Sequence, residues 1–457
     1  MAIYVADSRD GKAPAAFCRV RSRVYQCTGG YAVGTVKRSI FIGAAVIIVL
    51  AGSVVALAET GKNQVLPQKT ALPITANLNT GAISLAAPAA ELINASTGQI
   101  LYANNVMKKH YPASLAKLMT SLIALEMVKR HQLSLHSIIP VSQSAYQVAL
   151  TPGLSVAYLN PAEHITLSRM LEYMYVVSAD DAAVAMADAI AGTQAEFAKL
   201  MNDKARQLGM TGTRYTNASG LQNPHMYTNA RDVGLLSRYL INRYPLVLKY
   251  ASEPGMYIHP GQYGTNYDLL LGKFNGLDGL KTGSTSEAGY CFVGTAKRGN
   301  VRLISVILDT KSFPAVFQDT AALLGFGYTQ FVSRKIQNAG QSLLSIPVHN
   351  AANQNLAVAP HSDVVVNVLR GTRQTVTYSV VPNELQAPIV KGQRVGVENV
   401  AVNGHVVLQT PVYATVTDPK ENLIEKVWRS VMTSAHHGAR SLIDWIGQKL
   451  HKYLHRL

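Results

Sequence analysis

At Phe326-Gly327-Tyr328 the hydrophobic pattern of the chain changes character, and one layered core does not accommodate both sides of the change. Upstream, a helical pattern runs from Ser114 through Leu118, Leu122, Ile123 and Met127, and another through Leu167, Met170, Leu171, Met174 and Tyr175. The continuous apolar run at 301–308 fits a buried strand. Ala89–Ala95 and Gln99–Ala103 flank Ser96-Thr97-Gly98 like the arms of a hairpin. Downstream, residues 340–417 alternate Val and Thr with apolar positions, broken by Gly, Pro and Asn, as a small all-β domain does. A chain of 457 residues also exceeds one comfortable core. The expected architecture is therefore α/β (α+β) over residues 85–335, followed by the small β domain at 340–417.

The remaining segments are terminal. Lys37-Arg38 precede an apolar run from Ser39 to Ala58 that closes on Ala56-Leu57-Ala58, a small-x-small site. That is the layout of a secretory signal, so residues 1–58 are expected to be an N-terminal extension plus signal peptide. If the run is not removed it is just long enough to anchor in a bilayer; a buried core helix fits less well, because charges flank it and none lies inside. Residues 59–84 are aperiodic and read as a linker. Residues 420–457 return to helical period, with Trp428 and Trp445 and seven Lys/Arg against three acidic residues. A basic amphipathic stripe of this kind suits a helix lying in a membrane surface, the alternative being a helix docked on protein.

The formal net charge is +16, of which residues 1–58, with seven Lys/Arg and two Asp, carry a minor share. The surplus suits an anionic partner. No nucleic-acid module or arginine-rich tract is visible, so nucleic acid is not expected, and an envelope surface fits better. Together these features predict an exported protein associated with an envelope membrane surface. Cys18 and Cys27 lie in the extension and leave Cys291 alone, so no internal disulfide is expected in the remainder. The histidines lack ligand spacing, and neither a metal nor a cofactor is expected.

Three short motifs carry chemistry. Ser114-Leu115-Ala116-Lys117 puts a hydroxyl and an amine three residues apart on one helix face. A lysine that is desolvated and near other cations can lose its proton and serve as the base a serine needs. About one or two such pairs arise by chance in a chain this long, and the bland reading is a capped helix with a surface lysine. Pro112 adds information: it places Ser114 in the first turn, where free N–H groups favour a developing oxyanion. Ser178-Ala179-Asp180 opens an Ala-rich helix, where such a serine is most often an N-cap. Lys281-Thr282-Gly283-Ser284 reads as strand, with Gly283 leaving room for a substrate backbone to approach; a hairpin edge with a solvated lysine reads the same.

In this order and spacing the three motifs resemble the penicillin-binding and serine β-lactamase superfamily, whose set is Ser-x-x-Lys, Ser-x-Asn and Lys-Thr-Gly. Thr97-Gly98-Gln99-Ile100-Leu101-Tyr102, Asn217-Ala218-Ser219-Gly220-Leu221 and Asp278-Gly279-Leu280-Lys281 narrow the resemblance to the low-molecular-weight D-alanyl-D-alanine carboxypeptidases. The resemblance implies a transpeptidase-type domain with an antiparallel sheet flanked by helices, then the β domain and the amphipathic C-terminal helix. It implies removal of the terminal D-alanine from peptidoglycan stem peptides, with β-lactams as covalent inhibitors. Ser114 would be the nucleophile, Lys117 its base and Ser178 a proton relay to the leaving group. Lys281 would supply positive potential, Thr282 would bind the substrate carboxylate, and the N–H groups of Ser114 and Ser284 would form the oxyanion hole.

Two positions depart from the family pattern. Asp180 stands where Asn is usual; an ionised carboxylate offers no donor to substrate, favours the protonated form of Lys117 and opposes an anionic substrate, so slower turnover is expected. Val316 aligns near a position that is often basic, and the nearest cation is Lys311. The alternatives are a catalytically weak penicillin- or peptidoglycan-binding protein and a D,D-endopeptidase. A β-lactamase fits less well, since the run at Glu196 matches the carboxypeptidase pattern.

Overall fold

The computed structural model describes residues 3–6, 17–21, 24–28, 83–353, 355–422 and 427. Its centre is a five-stranded antiparallel sheet in the order Leu277–Thr285, Gly289–Arg298, Val301–Thr310, Ala89–Asn94, Ile100–Asn104. The apolar run at 301–308 thus forms the middle strand. It reads as continuous because both faces are covered: Ile304, Val306 and Leu308 join one buried cluster, and Leu303 and Ile307 join another. The expected hairpin is present as Ala89–Asn94 and Ile100–Asn104. Its turn is held by Asn94 Oδ1, which accepts from the N–H groups of Ser96 and Thr97.

The chain leaves this hairpin, builds a helical layer, and returns to the sheet at Leu277. Ala116–Lys129, Leu167–Val176, Asp180–Ala191, Gln194–Gln207 and Ala230–Arg243 are the longer helices of that layer. Leu118, Leu122, Met170 and Met174 bury their expected faces there with Ile304 and Val306. Helix Phe313–Gln330 packs Phe317 and Leu324 with Leu92 and Phe292 in the second cluster. The sheet is thereby sandwiched, and its edge strand Leu277–Thr285 carries Lys281 past the start of the Ser114 helix.

The all-β pairing begins at Phe331, ahead of the expected residue 340. Helix Phe313–Gln330 passes into strand Phe331–Gln337 with no intervening loop, and that strand pairs with Val364–Leu369 rather than with the central sheet. A second sheet is built from Leu344–Pro347, Asn355–Pro360, Val376–Pro382, Arg394–Val402 and His405–Ala414, around a Val-rich core. The two units are joined by buried bonds: Gln99 Nε2 donates to Asn367 O (2.8 Å) and Asn367 N donates to Gln99 Oε1 (2.7 Å).

In the N-terminal extension, where no periodic pattern is visible, Ile3–Ala6 pairs with Val376–Pro382 and Phe17–Arg21 pairs with Val24–Thr28. The apolar run Ser39–Ala58 lies outside the described residues, as does the tail beyond Asn422 apart from Val427. No described helix is long and apolar enough to cross a membrane.

Candidate active site

Ser114 sits in a short 3-10 turn, Ala113–Leu115, that leads directly into helix Ala116–Lys129. The turn is tightly enclosed. Ala113 has a left-handed φ of 47°, and the backbone of Gly220, at φ +90°, comes so close that a Cβ there would lie 1.8 Å from Ala113 O. From the other side, a Cβ on Gly283 would lie 3.0 Å from Ser114 N and 3.2 Å from Leu115 N. Gly283 lines the cleft, and its missing side chain also lets the edge strand press against the Ser114 turn.

One helical turn on, Lys117 is buried at 1% exposure. Its Nζ donates to Ser114 Oγ (2.8 Å), Asp180 Oδ1 (2.6 Å) and Ser219 O (2.9 Å), using all three ammonium protons. A neutral amine could keep the bonds to Asp180 and Ser219 and turn its lone pair to the Ser114 hydroxyl without moving a heavy atom. Ser219 belongs to the Asn217–Gly220 loop, fixed by Gly220 N donating to Asn217 Oδ1 (2.8 Å) and by Thr120 Oγ1 donating to Ala218 O (2.6 Å).

Ser178 lies between two helices at a left-handed φ of 58°. It caps nothing: the cap residue of helix Asp180–Ala191 is Ala179, which makes no side-chain cap bond. The hydroxyl instead accepts from Lys281 Nζ at 3.0 Å. Asp180 and Asp181 look alike in sequence but separate in space. Asp180 faces Lys117, while Asp181, fully buried, accepts from Ala157 N (2.9 Å) and Leu159 N (3.0 Å) and so holds the loop that brings Ser155 to the cleft. Burial pushes the Asp181 carboxyl up, against those backbone bonds.

Lys281 also donates to Thr282 O (3.0 Å) and is 3% exposed, not solvated. Burial and the neighbouring Lys117 hold its amine well below the usual lysine range, opposed by Asp180 and Asp268. Asp268 is a buried carboxylate that sequence reasoning missed; no motif marks it, and it reaches the site only through the fold.

Ser114 and Ser178 open on a cleft of about 300 Å³, with the lysines they bond behind them. Ser114, Ser155, Ser178, Thr282 and Ser284 form its polar wall; Tyr290, Phe313 and Val316 form an apolar end. No Lys or Arg side chain lines it, and Lys311 is engaged with Asp309 at 2.8 Å. Among the described residues no group of His, Cys, Asp and Glu is arranged to hold a metal ion.

Residues 76–312 match the family model for D-alanyl-D-alanine carboxypeptidase. The chain belongs to this carboxypeptidase family. Residues 331–420 match the model for the C-terminal domain of penicillin-binding protein 5, in agreement with all-β pairing from Phe331. The chain is similar to D-alanyl-D-alanine carboxypeptidase DacA of Haemophilus influenzae, at 30% identity over 67% of this chain and 78% of that protein. DacF of Bacillus subtilis is 28% identical over 76% of this chain and 89% of its own length. Among solved structures, penicillin-binding protein 5 from Haemophilus influenzae aligns with a TM-score of 0.67 at 27% identity, covering 74% of this chain and 99% of that one. Penicillin-binding protein D2 from Listeria monocytogenes, in its cefotaxime-bound form, aligns at 36% identity and a TM-score of 0.50 over 54% of this chain and 99% of that one. The antiparallel sheet, its flanking helices and the second all-β unit are thus the carboxypeptidase family's own architecture.

Proposed function

We propose that this protein is a serine-type D-Ala-D-Ala carboxypeptidase that removes the terminal D-alanine from peptidoglycan stem pentapeptides through a Ser114 acyl-enzyme, and that β-lactams acylate the same serine. The observation that carries this reading is the Lys117 amine, buried and shared among Ser114, Asp180 and Ser219. In acylation, Lys117 Nζ takes the Ser114 proton as Oγ bonds to the carbonyl carbon between the two D-alanines. The N–H groups of Ser114 and Ser284 receive the oxyanion. Ser178, bonded to Lys281, passes its proton to the leaving D-alanine amine as the peptide bond breaks and is refilled with the proton that Lys117 took from Ser114, which leaves Lys117 neutral again. Water then attacks the ester, with Lys117 again accepting the proton, and Ser114 is released. Thr282 and the positive potential of Lys281 hold the substrate carboxylate.

Asp180 is the group that slows this cycle. Before Lys117 can accept from Ser114 it must part with a proton held in a buried ion pair at 2.6 Å. A second reading, a penicillin- and peptidoglycan-binding protein with little turnover, draws on the same contact.

In this reading the protein works outside the cytoplasm, peripheral on the periplasmic face of the inner membrane. The support is in the sequence: Lys37-Arg38 with the apolar run to Ala58, and the basic stripe of residues 420–457 with Trp428 and Trp445.

The test uses purified protein with a fluorescent penicillin and, separately, with a stem pentapeptide while D-alanine is measured. Labelling that disappears in Ser114→Ala, together with D-alanine release, is the expected result. Labelling without release supports the binding-protein reading, and absence of labelling overturns the serine mechanism. Chains ending at Asp418 are expected to leave the membrane fraction if the tail is the anchor and the signal is removed; their retention would count against that pair of claims.

A further inference from the structure

A tyrosine-bearing ribbon stands beside the cleft and has no part in the reaction scheme. Gly255–His259 and Gln262–Thr265 pair so that Tyr257 lies opposite Tyr263. Successive side chains of a strand point to opposite faces. Met256 and Ile258 are buried on one face, where Gly264 packs so close to Val177, next to Ser178, that a Cβ would overlap it. Tyr257 and Tyr263 stand on the other face, 64% and 53% exposed, with ring centroids 5.0 Å apart in an edge-to-face pair.

Backbone contacts fix this ribbon to the site. Tyr173 Oη donates to Ile258 O (3.1 Å), and Arg169 donates to Tyr257 O. His259 Nε2 donates to Ala157 O (3.0 Å), in the loop that brings Ser155 to the cleft. Tyr267, four residues beyond Tyr263, is partly exposed and lines the cleft itself, so the aromatic surface is continuous with the site.

The outer face of such a ribbon is ordinarily polar, and exposed rings next to a cleft mark an interaction surface. Residues 255–267 contain no Lys, Arg, Asp or Glu, so the ribbon offers nothing to an anionic lipid headgroup. A neutral saccharide suits it better: the C–H face of a pyranose packs on a tyrosine ring while the phenol exchanges hydrogen bonds with sugar hydroxyls. Reach agrees, because an extended stem of five residues spans at most about 18 Å. With its terminal peptide bond at Ser114, the sugar that bears the stem must lie close to the cleft.

We propose that Tyr257 and Tyr263, reached from the cleft past Tyr267, form a saccharide subsite that stacks on amino-sugar rings of the glycan to which the stem peptide is attached. This deepens the proposed function and rests on it for the identity of the polymer. The subsite adds affinity for peptide still joined to its sugars and none for a free peptide or a β-lactam.

The test compares, on the full chain, a stem pentapeptide with the same pentapeptide carried on a tetrasaccharide of N-acetylated amino sugars. The glycan-linked substrate is expected to show a KM about tenfold lower, with similar kcat. In Tyr257→Ala/Tyr263→Ala that advantage is expected to disappear, while penicillin labelling and KM for the free peptide are retained. Tyr257→Phe/Tyr263→Phe is expected to keep most of it. Should the alanine pair lose labelling, Tyr257→Thr/Tyr263→Thr, which keeps strand-forming residues, takes its place. Equal KM values for the two substrates, or an advantage intact in a folded variant, overturn the inference and leave the proposed function standing. If the unaltered protein releases no D-alanine, the proposed function falls and co-sedimentation with peptide-free glycan decides. Binding lost in the alanine pair supports the subsite; binding that is absent or unchanged overturns it, as does a loss confined to sedimentation with phosphatidylglycerol vesicles.

Discussion

The two ends of the cleft are built on opposite principles. Around Ser114 the side chains are tightly engaged: Lys117 spends its donors on Ser114, Asp180 and Ser219, and the turn that carries Ser114 is hemmed in by Gly220 and Gly283. At the far end, Tyr290, Phe313 and Val316 present an apolar wall with no cation. The first end has one geometry, fixed by its hydrogen bonds. The second has little polar commitment. A change at the enclosed end should therefore act on rate, and a change at the open end on affinity.

The largest break in that contrast is expected from Gly220→Ala. A left-handed backbone costs an L-residue about 1–2 kcal/mol, and the clash with Ala113 O adds to it. A loss of about 3 kcal/mol or more in denaturant unfolding, with labelling of Ser114 abolished, is the expected outcome. Asp180→Asn should act in the opposite sense. The amide keeps an acceptor for Lys117 and removes the ion pair, so acylation and D-alanine release are expected to rise about tenfold, the equivalent of about 1.4 kcal/mol in the barrier. A variant no faster than the unaltered protein would remove Asp180 as the limiting group. The smallest effect is expected at the open end. Val316→Arg gives the terminal carboxylate a cation, and KM for a pentapeptide should fall about fivefold with kcat nearly unchanged. A change in kcat instead would mean that the two ends are coupled.

Much of this was legible in the sequence because it is local. Ser114 and Lys117 share one helical turn, Lys281, Thr282 and Ser284 follow one another along one strand, and the period-2 and helical patterns locate the hairpin, the middle strand and the helix faces. What the sequence hid is long-range. The third acceptor of Lys117 is a backbone carbonyl 102 residues away, which carries no residue signature. Asp268 is one acidic residue in an aperiodic stretch, distinguished only by what the fold buries it against. Ser178 is an ordinary helix-start serine until the edge strand brings Lys281 beneath it. The sequence marks the start of the all-β unit late because Gln330 passes into Phe331 without the Gly or Pro that usually marks a boundary.

The enclosure of the Ser114 turn also orders events in time. The residues that shape it come from Asn217–Gly220 and from the strand that begins at Leu277, so the setting that would make Ser114 reactive exists only after the chain has closed on itself across most of the first unit. A newly made or unfolded chain carries Ser114 as an ordinary hydroxyl. A fragment that ends before Leu277 lacks the strand that closes the turn, so the environment of Ser114 belongs to the folded unit and not to the Ser-x-x-Lys segment.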